Sequence, residues 1–162
     1  MEHLWAPWRM EYIQKEKDGE SEPCIFCSRI KQTEDEKNLI LFRSNHAFII
    51  MNRFPYNNGH LMVVPIRHVG DILELYPEEK TELFELLQRS VKALTTVMQP
   101  DGFNIGMNLG RIAGAGVLDH LHFHVVPRWN GDTNFMPVIS DTKVISESLN
   151  QSYKKLSDIL NQ

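Results

Sequence analysis

The sequence predicts an α+β fold with a mainly antiparallel sheet, because short strand-like segments come in groups and long helical segments stand apart from them. Three predicted strands, at 39–43, 47–51 and 60–66, follow one another with turn-forming residues between them. A long helical segment at 77–98 comes next, and two further predicted strands follow it. The total of 162 residues fits one domain that is large enough for a core without disulfides.

The long predicted helix has a defined start and end. Pro77 suits a first helical position, Glu78 and Glu79 place negative charge in the first turn, and Pro100 follows the last turn. The residues at helical spacing that we expect in the core are Leu83, Leu86, Leu87, Val91, Leu94 and Val97. Beyond the helix we expect two strands and a terminal helix, at 103–107, 120–126 and 141–160.

The composition excludes several classes of protein. A net charge of −4 gives no basic surface for a nucleic-acid backbone. No apolar stretch reaches the length of about 20 residues that spans a bilayer, and the N-terminus lacks the basic and apolar regions of a signal peptide. Two cysteines, Cys24 and Cys27, do not imply a disulfide framework. We therefore expect a cytoplasmic protein without nucleic-acid or membrane partners.

Three histidines alternate with apolar residues in the last predicted strand. On a strand, His120, His122 and His124 project to one side, while the residues between them face a core. His120 and His124 are then roughly 13 Å apart at the backbone, so one metal ion, with bonds of about 2.0–2.1 Å, binds two of the three at most. At least one imidazole remains for other chemistry, and a neutral imidazole can attack phosphorus. The pattern leaves both a metal site and a nucleophilic site open.

Residues 120–126 match the signature His-φ-His-φ-His-φ-φ, in which φ is apolar, and the sequence therefore resembles the histidine triad (HIT) superfamily of nucleotide hydrolases and transferases. The similarity extends over residues 22–160 and includes the segments 52–65, 108–116 and 127–135. The last of these is similar to the branch that contains bacterial diadenosine tetraphosphate phosphorylases and is related to the fragile histidine triad hydrolases.

The resemblance implies a HIT-like fold, with a five-stranded sheet, a long central helix and a C-terminal helix, and it implies a homodimer. It divides the chain into an N-terminal extension at 1–21 and a single HIT domain at 22–162. It implies cleavage of dinucleoside polyphosphates, diadenosine tetraphosphate before the triphosphate, by double displacement at the α-phosphorus. His122 is then the nucleophile, and His124 and His120 complete the catalytic set. Phosphate or water accepts the nucleotidyl group, and the segment 127–135 favours phosphate.

The resemblance also assigns nucleotide contacts. The loop at 108–116 contains three glycines, whose backbone amides can approach phosphate oxygens closely. The positions for the phosphate, the ribose and the base are Asn108, Gly114, Gly116, Asn52, Ile25 and Phe26. His124 contacts the substrate phosphate, and His60 resembles a histidine that hydrogen-bonds within the site beside the triad. Arg111 and Arg128 are either contacts for an anionic acceptor or solvated surface residues.

The spacing Cys24-x-x-Cys27 allows two thiolates to bind one tetrahedral ion, but a redox pair or two buried thiols are also compatible with it. Zinc-containing members of the superfamily combine this pair with two histidines, and the matching positions are His68 and His120. The resemblance thus implies a structural zinc site of Cys24, Cys27, His68 and His120, with His46 as an alternative third ligand. It implies no organic cofactor.

Other functions remain open at this point. A purine nucleoside phosphoramidase would keep His122 as the nucleophile and change only the substrate. A nucleotide-binding module without catalysis, or a hydrolase that uses the histidines as metal ligands, would give the triad another role. Trp5 and Trp8 are compatible with a cover over apolar surface, and Trp129 with a place at the border of the site or in an interface.

Overall fold

The computed structural model describes residues 24–132 and 147–162 of the chain. Several expectations fall outside these ranges: the boundary between an extension at 1–21 and the domain, the start of the terminal helix at 141–146, and the similarity segment at 133–135. Trp5 and Trp8 lie outside them as well. Every residue that the sequence assigns to the site lies within the described ranges.

Five strands, four α-helices and one 3₁₀ turn make up the described part of the chain. In chain order they are α1 (Ile25–Ile30), α2 (Asp35–Asn38), β1 (Ile40–Arg43), β2 (Ala47–Met51), β3 (Leu61–Pro65), the 3₁₀ turn (Ile72–Glu74), α3 (Pro77–Met98), β4 (Gly102–Met107), β5 (Phe123–Arg128) and α4 (Leu149–Leu160). The α+β class, the long helix and the C-terminal helix are therefore confirmed.

The five strands form one antiparallel sheet in the order β1-β2-β3-β5-β4. β2 and β3 are fully buried, because their continuous apolar sequences lie inside the sheet and pack against α3. α4 packs beside α3 and against β1. The chain leaves β3 through α3 and returns along the edge of the sheet as β4. β5 then fills the space between β3 and β4, which brings the histidine motif into the sheet.

Helix α3 agrees with the prediction at both ends. Before it, the backbone N–H of Tyr76 donates to Glu79 Oε2 at 2.8 Å, which satisfies a polar group that the helix itself cannot. After it, Gln99 adopts a left-handed backbone conformation with φ 47° and ends the helix. Of the expected core residues, the leucines are buried and the valines are half-buried against the core. In the described part of the chain, no helix is long and apolar enough to span a membrane.

The strand expected at 120–126 begins only at Phe123 and continues to Arg128. The residues before it have other backbone partners, because the ladder with β3 ends at the pair of Val63 and Phe123, and Leu121 donates its N–H to the carbonyl of Val69 at 2.8 Å. The expectation that the whole motif lies in a strand is therefore wrong. The first two histidines project from an irregular segment, and only the third lies within β5.

The terminal helix also begins later than the predicted start at 141. Glu147 and Ser148 are described and precede the helix, which begins at Leu149. Ser148 is the N-cap, and its side-chain oxygen accepts a hydrogen bond from the N–H of Gln151. The apolar spacing of the sequence continues past this cap, which is why the periodicity alone placed the start too early.

Candidate active site

The histidine motif lies beside a cavity. His124 is in β5, where it pairs with Met62 of β3 on one side and with Gly106 of β4 on the other, and His122 directly precedes the strand. The cavity is bordered by α1, by the loop from β2 to β3 and by the loop before the motif. Residues that the sequence singled out line it together: Ile25, Phe26, Asn52, Gly114, Gly116, His122 and His124.

His122 is 5% exposed, and its Nδ1 donates a hydrogen bond to the carbonyl of His120 at 3.0 Å. A carbonyl oxygen only accepts, so Nδ1 carries the proton and the lone pair is on Nε2. Burial lowers the pKa of His122, because the charged imidazolium is poorly solvated there, although the carbonyl opposes this effect. His122 is therefore a neutral imidazole with an unprotonated nitrogen, the form that acts as a nucleophile.

His124 is held by a second histidine. His60 is buried, and its Nδ1 accepts the backbone N–H of Tyr56 at 3.1 Å. Its Nε2 then carries the proton, which it donates to Nδ1 of His124 at 2.9 Å. In the neutral pair, His124 therefore has its own proton on Nε2. The side-chain amide of Asn52 lies 3.4 Å from Nδ1 of His60, which joins the expected ribose contact to this chain of hydrogen bonds.

A cluster of two cysteines and two histidines lies next to the cavity. The ligand atoms of Cys24, Cys27, His68 and His120 are all within 4.8 Å of one another. Nδ1 of His120 is 3.2 Å from Cys24 Sγ, 3.5 Å from Cys27 Sγ and 3.3 Å from Nδ1 of His68. A tetrahedral ion with bonds of about 2.0–2.3 Å needs ligand atoms about 3.3–3.8 Å apart. The group therefore fits one metal ion.

His120 is oriented for this cluster by the main chain. Its Nε2 donates to the carbonyl of Pro65 at 2.8 Å, so its lone pair is on Nδ1, the atom that faces the thiols. Burial, with smaller effects from His68 and His122, lowers the pKa of His120 to about 4, so the ring is neutral. His46, the alternative ligand, lies outside this group of four.

The loop before the motif is closed by its own hydrogen bonds. The side-chain amide of Asn108 donates to the carbonyl of Gly114 at 3.3 Å, and the N–H of Gly114 donates to the carbonyl of Arg111 at 3.0 Å. Gly110 and Gly114 have φ angles of 81° and 90°, so the turn depends on glycine. Gly114 and Gly116 line the cavity, whereas Asn108 and Arg111 do not. Asn108 thus shapes the expected phosphate loop, and Arg111 is exposed on it.

Arg128 and Trp129, for which the sequence left alternatives, both contact the scaffold. Arg128 forms an ion pair with Asp132 at 2.6 Å. Trp129 donates its indole N–H to the carbonyl of Met98 at 3.4 Å, at the end of α3. Neither residue lines the cavity, so the border of the site is made by other side chains.

The sequence assigned no individual site role to six cavity residues, four of which lie in the similarity segment at 52–65: Arg29, Arg53, Phe54, Tyr56, Met62 and Val117. Arg29 had a signal, because it follows Ile25 by four positions and so shares its face of α1. Tyr56 lies within the similarity segment at 52–65, but nothing singled it out there, because it lies in a loop, where no period relates one side chain to the next.

Comparison with known proteins shows the family of this chain. A family model described as HIT domain matches residues 32–131. The chain belongs to the HIT domain family. An AP-4-A phosphorylase of Mycobacterium tuberculosis is 38% identical to this HIT protein in an alignment of 162 positions that covers 97% of this chain and 83% of that protein.

Two further matches are relevant. The adenosine 5'-monophosphoramidase of Schizosaccharomyces pombe is 33% identical over 107 residues, 66% of this chain and 75% of that protein. The crystal structure of a zinc-bound histidine triad family protein from Mycobacterium smegmatis has 25% sequence identity and a TM-score of 0.65, and the match covers 85% of this chain and 93% of that one. The resemblance drawn from the motif is thus confirmed, and this HIT protein is an enzyme of a family that acts on nucleotides.

Proposed function

We propose that this HIT protein cleaves dinucleoside polyphosphates, diadenosine tetraphosphate before the triphosphate, at the α-phosphorus through a nucleotidyl intermediate on His122. The observation that carries the proposal is the neutral, buried imidazole of His122, with its lone pair on Nε2 and a cavity shared with His124. The relation to an AP-4-A phosphorylase over nearly the full chain supports the choice of substrate.

The reaction has two displacements. In the first, Nε2 of His122 forms a bond to the α-phosphorus, and the bond from that phosphorus to the leaving nucleotide breaks, so the electron pair departs with the bridging oxygen. In the second, an oxygen of the acceptor attacks the same phosphorus, and the N–P bond breaks and returns the lone pair to His122. With phosphate, the acceptor we favour, diadenosine tetraphosphate gives ADP and ATP. With water, it gives AMP and ATP, and two protons are released when both products are fully ionised.

Neighbouring groups stabilise charge and hold the nucleotide in this proposal. His124, with its proton on Nε2, donates to a phosphoryl oxygen or to the leaving oxygen as negative charge develops there. The backbone amide of Gly116 contacts another phosphate oxygen, while Gly114, whose own N–H closes the loop, borders the cavity, and Asn108 keeps that loop closed. The side chains that hold the base and the ribose are Ile25, Phe26 and Asn52.

We assign zinc to the cluster of Cys24, Cys27, His68 and His120. Two thiolates and two imidazoles are a set of four ligands that is typical of structural zinc sites. The zinc-bound relative from M. smegmatis supports this choice. Bound zinc would supply a cross-link between α1, the segment after β3 and the motif. His120 then acts as a ligand, and His122 and His124 carry the bond cleavage. The reaction needs no organic cofactor.

We further propose a homodimer formed along β4. This strand lies at the edge of the sheet, and the side chain of Ile105 in its middle is 48% exposed. An edge strand of this kind offers backbone groups and an apolar contact to a second copy. Residues 22–162 are proposed as one domain with 1–21 as an extension. A cytoplasmic location fits the nucleotide substrates.

A purine nucleoside phosphoramidase is the second candidate. The adenosine 5'-monophosphoramidase relative favours it, because the same attack by His122 would expel an amine in place of a nucleotide. It ranks second because that relative is 33% identical over 66% of this chain, whereas the phosphorylase is 38% identical over 97%.

Product analysis distinguishes these reactions. Purified protein is incubated with diadenosine tetraphosphate, with and without inorganic phosphate, and separately with adenosine 5'-phosphoramidate. We expect ADP and ATP with phosphate, and much slower cleavage without it. AMP and ATP at equal rates in both conditions would replace phosphate by water as the acceptor. A clear preference for the phosphoramidate would reject the substrate assignment.

A further inference from the structure

Tyr56 lies in the loop between β2 and β3 and contacts both histidines of the His60–His124 pair. Its ring centroid is 4.6 Å from that of His60, at an interplanar angle of 38°, and 5.7 Å from that of His124, at 31°. The side chain also lines the cavity that His122 and His124 share. A half-buried aromatic ring therefore forms one wall of the cavity beside His124.

The backbone of Tyr56 acts on the same pair. Its N–H donates to Nδ1 of His60 at 3.1 Å, which leaves the proton of His60 on Nε2 for the bond to His124. Any residue except proline at position 56 provides this donor. The ring supplies what the backbone cannot, a flat apolar surface in tilted contact with both imidazoles. Side-chain substitutions therefore separate the two contributions.

The ring limits how His124 can turn. The ring of His124 lies 4.9 Å from that of His122, at an interplanar angle of 75°, and it also contacts the rings of Tyr56 and His60. The hydrogen bond from His60 reaches only Nδ1 of His124, so it acts as a pivot. The tyrosine ring is one wall that opposes rotation about this pivot, so its removal makes a displacement of Nε2 easier.

We propose that Tyr56 is a positioning residue, whose ring holds the imidazole of His124 at the angle from which Nε2 donates to the oxygens of the transferred phosphoryl group. The inference rests on the proposed function, which gives His124 this role. Such a hydrogen bond strengthens as charge develops in the transition state, so a displaced His124 lowers kcat more than it lowers nucleotide affinity. Misplacement of a catalytic group by about 1 Å costs about 100-fold in rate.

Three variants test this assignment with diadenosine tetraphosphate as the substrate. Tyr56→Phe keeps the ring, Tyr56→Leu removes the aromatic surface, and Tyr76→Leu removes a tyrosine ring that stacks on Arg67 and does not line the cavity. We expect kcat to fall about 10- to 100-fold in Tyr56→Leu with KM within about threefold of the parent. Tyr56→Phe and Tyr76→Leu should stay within about threefold in both constants, and AMP binding by calorimetry should be unchanged in all three.

A Tyr56→Leu protein with the parental kcat would overturn the inference, as would a Tyr56→Phe protein that is equally slow, or a loss confined to KM and AMP binding. If Tyr56→Leu does not fold by circular dichroism, Tyr56→Met, which keeps a long apolar side chain without an aromatic plane, takes its place with the same expected values. A parent protein that cleaves no dinucleoside polyphosphate would instead contradict the proposed function.

Discussion

His120 and His122 lie two residues apart in one motif, yet they present opposite nitrogen atoms to their surroundings. Both are buried, and both donate to a main-chain carbonyl: His120 from Nε2 to Pro65, and His122 from Nδ1 to His120 itself. The lone pair of His120 is therefore on Nδ1, toward the thiols, and that of His122 is on Nε2. Neighbouring carbonyls therefore divide the motif into a metal-binding region and a reactive region.

The two regions share helix α1. Cys24, which caps its N-terminus, and Cys27, in its first turn, belong to the metal-binding cluster. Three other side chains of the helix line the cavity: Ile25, Phe26 and Arg29. The ring of Phe26 is 5.4 Å from that of His120 and 5.2 Å from that of His122, so it touches both regions. A substitution in the cluster should therefore also alter the cavity, because α1 contributes to both. A substitution of His122 should leave the cluster intact.

The largest effect is expected in the reactive region. His122→Asn removes the nucleophilic nitrogen but keeps a side chain that can donate to the carbonyl of His120, so the fold and the cluster should persist. We expect turnover to fall by at least about 10⁴-fold, equal to about 5.5 kcal/mol of barrier, while AMP binding and metal content stay near parental values. Steady-state kinetics, calorimetry and metal analysis measure these quantities. Near-parental turnover would remove His122 from the mechanism.

Cys24→Ser should affect the metal-binding region more strongly than the reactive region. A weaker ligand opens the closed set, so metal content should fall from about one ion per chain and the melting temperature should fall by about 5–15 °C, the shift for a loss of about 2–4 kcal/mol in a chain of this size. Because α1 also borders the cavity, KM should rise, while kcat of the folded protein changes by less than about tenfold. Metal analysis, thermal unfolding and kinetics check the three expectations.

His46→Gln is the matched control for the metal site. His46 is the alternative ligand from the sequence and lies outside the cluster, so this variant should keep its metal and its melting temperature. An equal loss of metal in His46→Gln would count against the assigned ligand set. A parent protein without metal, together with an unchanged melting temperature in Cys24→Ser, would eliminate the zinc site.

The smallest effect is expected at Asp132, in the turn that follows β5. Asp132 accepts hydrogen bonds from Arg128 at 2.6 Å and from Asn57 at 2.8 Å, and Asn57 lies in the loop that carries Tyr56 and His60. The Arg128 guanidinium holds the pKa of Asp132 well below its usual range. A pKa that is lowered on folding adds stability that is fully present above the unfolded pKa of about 3.9 and is lost as the pH falls toward the folded value.

Asp132→Asn should therefore lower the melting temperature by about 3–8 °C at neutral pH, the shift for a loss of about 1–2 kcal/mol. The gap from the parent should narrow below about pH 4, where the carboxylate of the unfolded parent binds a proton. Thermal unfolding of both proteins at pH 7, 5 and 3 measures this gap. The same gap at all three pH values would show that the charge of Asp132 adds no stability.

The sequence alone predicted the bounds of elements in which apolar residues recur at a regular spacing. The helix Pro77–Met98 and the strand Ala47–Met51 agree with the prediction at both ends, because apolar spacing and flanking proline or turn residues define them. The start of β5 was wrong because alternation reports the direction of side chains and not the partners of the backbone. Leu121 bonds Val69 rather than β3, and no periodicity contains that information.

The candidate site likewise contains residues that the sequence could predict and features that it could not. The two cysteines and two histidines of the cluster could be grouped by family resemblance, since few residue types bind a metal at this spacing. The place of Tyr56 could not be predicted, because the path of its loop depends on distant contacts such as that of Asn57 with Asp132. The tautomers could not be predicted either, since they depend on the carbonyls of Pro65 and His120, which only the fold brings into position.

The most direct measurement is the identification of the nucleotide on the enzyme. Protein is mixed with diadenosine tetraphosphate for less than one turnover, quenched in base, where the bond from phosphorus to histidine survives, and then digested and fragmented for mass spectrometry. We predict one adenylyl group on His122, which disappears when phosphate is added before the quench. Continued turnover with no adenylylated histidine, or with the adenylyl group on His124 in place of His122, would contradict the central role of His122.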